Sequence, residues 1–170
     1  PPRAMTAGAS SRRRRRFSAK LRRAPGNHRG PASALGGRMT SPSTSTSSVR
    51  DQIEKGIPYL RRRYGAEKFI VYFQPFTNTY APVETLERLY REALDHPGVV
   101  GLAIGTRPDC VDEGKIALLA ELAKDHFILV EYGLQSIHDR TLTFINRGHD
   151  YECFKHALKI TTGQGIKVGA

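Results

Sequence analysis

From Ser48 onward the sequence predicts an α/β domain built on a parallel sheet. Two observations lead there. Short runs of strand length alternate with segments of helical period, and those runs are apolar at nearly every position, as strands covered on both faces require. The connections are short. The right-handed crossover rule then curls such units into a barrel or an open α/β sheet.

The elements follow in order. Ser47 or Ser48 caps a first helix, with Asp51 supplying an acidic first turn. It runs to about Tyr64 with Val49, Ile53, Ile57 and Leu60 on one face, carries Pro58 as a potential kink, and ends at Gly65. Phe69 to Phe73 is the first strand. Pro82 and Glu84 open a second helix with Val83, Leu86, Leu89, Tyr90 and Ala93 inward, ending before Pro97-Gly98. Val99 to Ile104 is the second strand. Past a turn over 105–109, Asp112 opens a third helix with Ile116, Leu119, Ala120 and Ala123 inward. Phe127 to Val130 is the third strand. Helical segments at about 138–145 and 150–163 lead through Gly165 to a last apolar run, Ile166 to Val168.

Charge divides the chain at the same place. Residues 1–47 hold 11 of the 27 lysines and arginines and no acidic residue; residues 48–170 therefore carry 16 basic against 16 acidic groups and are neutral. The overall +11 belongs to the N-terminal segment, and the neutral core offers no electrostatic support for binding nucleic acid. Residues 1–47 are rich in Arg, Ser, Pro, Gly and Ala without apolar period, which predicts disorder. Four readings of that segment stay open: a basic arm for nucleic acid, an organelle transit peptide, a plain tail, and out-of-frame or mis-assembled coding sequence. Two cysteines, Cys110 and Cys153, are too few for a disulfide framework, so a reducing, cytoplasmic location is the expectation. No run approaches the length of a membrane span, and no membrane partner is expected.

In parallel α/β folds the reactive positions lie at the C-terminal ends of the strands. Here those are Gln74, Thr77, Asn78 and Thr79, then Thr106, Arg107 and Asp109, then Glu131, Gln135 and Ser136. Gathered at one mouth, they would form a polar pocket of mixed charge suited to a zwitterionic ligand: carboxylates for an ammonium, a guanidinium for a carboxylate, amides for hydroxyls. Taken singly, each is also an ordinary strand-to-helix turn residue.

These residues also carry a family resemblance. Val130-Glu131-Tyr132-Gly133-Leu134-Gln135-Ser136, followed by Ile145-Asn146-Arg147-Gly148-His149, resembles radical S-adenosylmethionine (SAM) proteins related to the catalytic subunit of Elongator. Gly105 to Asp109 and Gly165 to Gly169 match the same group. The stretch Tyr72 to Tyr80 narrows the likeness to an uncharacterised bacterial branch. The resemblance covers residues 48–170. It implies a partial (β/α)6, TIM-barrel-like core with SAM lying across its mouth. In the intact family member a 4Fe-4S cluster, fed by an electron donor, cleaves SAM to a 5′-deoxyadenosyl radical that acts on a substrate of unknown identity, with RNA one option. The resemblance implies cofactor-binding roles for Asn78, Arg107, Glu131, Gln135, Ser136 and Arg147. Arg147 would grip the methionine carboxylate, Gln135 and Ser136 would meet the ribose or methionine part, and Asn78 stands where many relatives hold the amino group. Glu131 and Arg107 could instead pair with each other, and His149 could do chemistry, cap the next helix or bond to backbone.

The family's cluster needs three cysteines in one run of the Cys-x-x-x-x-x-Cys-x-x-Cys kind, because iron–sulfur clusters take thiolate ligands. Residues 1–47 contain no cysteine. Cys110 and Cys153 come from later elements and read as spectator thiols. Two readings follow. Either the family likeness resumes near Ser41-Pro42-Ser43 behind a wrongly read segment, or the protein keeps the barrel and has lost the cluster. In both the chain is expected to be catalytically inactive. Both ends read as fragment edges, which predicts bare sheet edges and marginal folding.

Overall fold

A computed structural model describes residues 48–170 and, for its backbone, residues 19–23. Five strands form one sheet in the order β1-β2-β3-β4-β5. They are β1 (Ala19–Arg23), β2 (Phe69–Phe73), β3 (Val99–Thr106), β4 (Phe127–Tyr132) and β5 (Lys167–Gly169). Among the described residues the helices are α1 (Val49–Tyr64), α2 (Val83–Leu94), α3 (Glu113–Leu122), α4 (Asp139–Phe144) and α5 (Tyr151–Thr161), with a 3-10 turn at Pro108–Cys110.

The β2-β3-β4-β5 ladder is parallel throughout, as the apolar runs predict. Alternation along the strands sorts their side chains into two unequal cores. Phe69, Val71 and Phe73 of β2, Leu102 and Ile104 of β3, and Ile128, Val130 and Tyr132 of β4 pack with residues of α1, α2, α3 and α5. The opposite face holds a small cluster of Ile70, Tyr72 and Ala103, flanked by Val100 and Leu129. The helices that build the main core therefore cover one face of the sheet. This is the arrangement of a barrel segment, in which helices ring the outside and the second face turns to the interior. Of the two architectures open to the sequence, the partial barrel is the one that forms.

Local chemistry sets the element ends. Ser48 closes a capping box with Asp51: its hydroxyl accepts from the Asp51 amide at 3.0 Å, and the Asp51 carboxylate accepts from the Ser48 amide at 2.9 Å. Gly65 ends α1 in the left-handed region at φ 59°. The helix runs through Pro58 without a break. Asp112 and Asp150 cap α3 and α5 through the amides of Lys115 and Cys153. Gly101 lets β3 and β4 approach: a Cβ there would collide with the carbonyl oxygen of Phe127.

Two expectations are corrected. β1 forms within the segment read as disordered, and it pairs antiparallel along the edge of β2, from Ala19 opposite Phe73 to Arg23 opposite Phe69. The outer edge of β2 is thus covered rather than bare. The rest of residues 1–47, and the readings placed on it, lies outside the described residues. In α3 Ile116, Leu118, Leu119 and Leu122 are buried and Ala120 and Ala123 pack partly buried against the same core, so the inward set is wider than expected by Leu118 and Leu122. The helix is apolar on most of its circumference, and the larger leucines take the core. Among the described residues no helix is long and apolar enough to cross a membrane.

Candidate functional site

The C-terminal ends of β2, β3 and β4 meet at one mouth. It holds an open cavity of about 330 Å³, whose polar lining is Gln74, Thr77, Thr106, Arg107, Glu131 and Arg147. Tyr72, Phe76 and Tyr132 supply the aromatic part of the wall.

Beneath the mouth a buried network ties the strand ends together. Asn78, 2% exposed, donates both amide hydrogens to backbone, one to Phe73 O and one to Gly105 O, each at 2.8 Å. It thereby staples the end of β2 to the end of β3. The Tyr90 hydroxyl, from α2, donates to the Asn78 carbonyl at 2.9 Å, and burial raises the Tyr90 pKa above the ordinary phenol range. Thr79 Oγ1 lies 2.6 Å from Thr106 Oγ1 and donates to Cys110 O at 2.7 Å. Asn78 is therefore a floor of the site rather than part of its lining.

The two arginines are held differently. Arg107 makes a fork with Asp109, two residues on: Nε donates to Oδ1 at 2.8 Å and Nη2 to Oδ2. Burial works against the Asp109 charge, but the bonds and charge of Arg107 outweigh it and hold the carboxyl below its usual range. Asp109 in turn raises the pKa of Arg107. Of the two alternatives left by the sequence, an Arg107–Glu131 ion pair does not form; among the described residues Glu131 makes no ion pair, and it faces the cavity.

Arg147 reaches the mouth from the loop after α4. Its Nη2 donates to Gly133 O at 2.7 Å and its Nε to His149 Nε2 at 3.1 Å. Both close approaches need glycine. A Cβ on Gly133 would lie 2.5 Å from Arg147 Nη2, and one on Gly148, at φ 80°, would lie 2.9 Å from Arg107 Nη2. Gln135, in the left-handed region at φ 68°, comes close to Gly133 and is exposed. Ser136 is partly buried, and its hydroxyl accepts from the His138 amide at 3.0 Å ahead of α4.

Of the residues singled out in the sequence, Arg107, Glu131 and Arg147 thus line one cavity, Gln135 stands at its edge, Ser136 is engaged in the loop, and Asn78 lies below. The sequence reading missed the supporting roles of Gly133 and Gly148, although a glycine directly after a strand and another beside an arginine are the signals that carry them. It also missed Phe76, whose φ of 64° and 87% exposure at the mouth have no signature in the sequence.

The two thiols do not make a cluster site. Cys110 is buried and Cys153 partly so, and burial raises the pKa of both, the Asp109 charge adding to the effect. No group of three or more His, Cys, Asp or Glu stands ready for a metal among the described residues.

Comparison with known proteins agrees with this geometry. The family model of the Radical SAM superfamily matches residues 33–170. The chain is 41% identical over 121 residues to the uncharacterized protein MJ0486 of Methanocaldococcus jannaschii, an alignment covering 71% of the chain and 37% of that protein. It is 40% identical over 104 residues to protein YhcC of Escherichia coli, covering 61% and 34%. It is 45% identical over 101 residues to the uncharacterized protein YtqA of Bacillus subtilis, covering 59% and 31%. The chain spans about a third of the length of these curated relatives. No solved structure gives a significant match. A parallel half-barrel with a polar mouth at its strand ends, matched by the family model over most of its length, places this chain in the radical SAM superfamily.

Proposed function

We propose that the mouth of the half-barrel is a SAM cradle, and that the chain is the SAM-binding part of a radical SAM protein of the Elongator-like branch. The observation that carries this reading is the convergence of Arg147, Arg107 and Glu131 on one cavity at the ends of parallel strands. A guanidinium and an unpaired carboxylate across one opening match the carboxylate and ammonium of an amino-acid ligand. Arg147 has five N–H groups and commits two of them, to Gly133 and His149, so it retains donors for a carboxylate. Gln135, at the rim, is available to a ribose hydroxyl, and Ser136 supports its turn. Asn78 contributes by fixing the strand ends on which the cradle stands.

The 4Fe-4S cluster used by the superfamily does not fit the residues of this chain, which has two cysteines, on separate elements, where the cluster takes three from one run. Cleavage of SAM to a 5′-deoxyadenosyl radical, with its electron donor and its substrate, is therefore assigned to the intact parent. These 170 residues alone are inactive. The cysteine count also favours a second reading, a barrel that binds SAM or RNA without catalysis. Here the neutral core weighs against RNA.

Calorimetric titration with SAM tests the cradle. Wild-type chain binds, and Arg147→Lys, which keeps the charge but loses the planar fork, weakens binding by about 1.5–3 kcal/mol. Equal affinity of the two forms refutes the assignment of Arg147.

A further inference from the structure

We infer that His149 is a positioning residue: its Nε2 accepts from Arg147 Nε and aims the guanidinium, so that removing this acceptor releases the arginine and weakens ligand binding at the mouth. This rests on the reading of the mouth as a SAM cradle.

The tautomer follows from the bonds. Arg147 Nε carries a hydrogen and can only donate, so His149 Nε2, 3.1 Å away, must present its lone pair. The ring proton then sits on Nδ1, which lies 3.2 Å from Asp150 O and donates to it. Asp150 is itself fixed, since its carboxylate caps α5 through the Cys153 amide at 2.8 Å. A chain of contacts therefore runs from the start of α5 through the imidazole to Arg147. The second restraint on Arg147 is its 2.7 Å bond to Gly133 O, at the end of β4. Between them these two bonds orient the guanidinium plane, and the free donors point where the two anchors leave them.

The neighbouring carboxylates do not replace this acceptor. Asp139 and Asp150 share the pocket beside α4 with His149, and each accepts a backbone amide, from Tyr151 and Cys153 respectively. Asp109, from the 3-10 turn, is forked to Arg107, whose guanidinium lies against Gly148.

The test uses the full chain with SAM as the probe. His149→Phe lowers SAM affinity about tenfold, the worth of one such hydrogen bond. His149→Gln, whose side-chain oxygen can accept from Arg147 Nε, restores it to within about threefold. In ¹⁵N-edited NMR the Arg147 Nε–H of wild type is protected from exchange; in His149→Phe that protection is lost, and in His149→Gln it is retained. His149→Phe binding as wild type while Arg147→Lys binds weakly overturns this inference and leaves the cradle standing. If SAM does not bind, the cradle reading fails, and an Nε–H signal indifferent to His149→Phe separately overturns the arginine–histidine link.

Discussion

Replacing Asn78 by alanine should destabilise the fold far more than its single side chain suggests. The side chain is almost wholly buried and gives two 2.8 Å hydrogen bonds to backbone carbonyls, one at the end of β2 and one at the end of β3. Each such bond contributes about 0.5–1.5 kcal/mol net, and losing it leaves a buried carbonyl short of a partner. Adding the small cavity left by the amide, the expected loss is about 2–4 kcal/mol. At about 4 °C per kcal/mol for a domain of this size, the thermal midpoint falls by roughly 8–16 °C. Asn78→Asp should be worse, because it sets a carboxylate oxygen against two carbonyl oxygens where hydrogens stood. Urea unfolding followed by circular dichroism measures both variants. A loss below about 0.5 kcal/mol for Asn78→Ala would refute the staple, since that is the range of an uninvolved surface change.

Other outcomes follow from the same geometry. Gly101→Ala drives a Cβ into the Phe127 carbonyl between β3 and β4, so soluble expression should fail or stability fall by at least about 3 kcal/mol; a normal melt contradicts it. Gly133→Ala meets the movable ends of Arg147 and, less closely, Gln135; it should displace the Arg147 guanidinium and cut SAM affinity while costing about 1 kcal/mol or less in a denaturant titration. Tyr90 has its folded-state pKa raised by burial. The stability this represents is intact below the ordinary phenol pKa of about 10 and lost as pH rises beyond it, because the unfolded chain ionises first. Alkaline melts of wild type should therefore fall more steeply than those of Tyr90→Phe. Asp51, whose pKa is lowered by its bonds from the Ser48 backbone and hydroxyl, acts in the opposite direction. Its contribution is present above the usual carboxylate pKa and disappears as pH drops through the lowered one, so Asp51→Asn should flatten the acid limb of the stability curve.

What could be read from the sequence was what local rules govern. Ser48 with Asp51, Gly65, Asp112 and the unbroken run Phe69 to Phe73 each act within a few residues, and each element they mark is present. Strand ends were less legible: β3 continues two residues past Ile104 and β4 two past Val130, because pairing with a neighbour carries the strand into polar sequence. β1 was not legible, since the alternation Ala19-Lys20-Leu21-Arg22 is brief and lies in an Arg- and Ser-rich segment; the strand pairs along the open edge of β2. In the site, the strand-end rule named the mouth residues. It could not distinguish Asn78, which bonds downward to Gly105 across 27 positions of sequence, from Glu131, which faces the cavity. Nor could it foresee that Arg107 would take Asp109 rather than Glu131, a choice made by the 3-10 turn that folds Asp109 back toward it.

The most direct test of the SAM cradle is a backbone amide map of the chain titrated with SAM by NMR. Perturbations confined to the segments 74–79, 105–109, 131–136 and 146–149 would locate the ligand across the mouth, as proposed. Shifts clustered instead around Gly65, Gly98 and Asp125, at the opposite ends of the same strands, would contradict it.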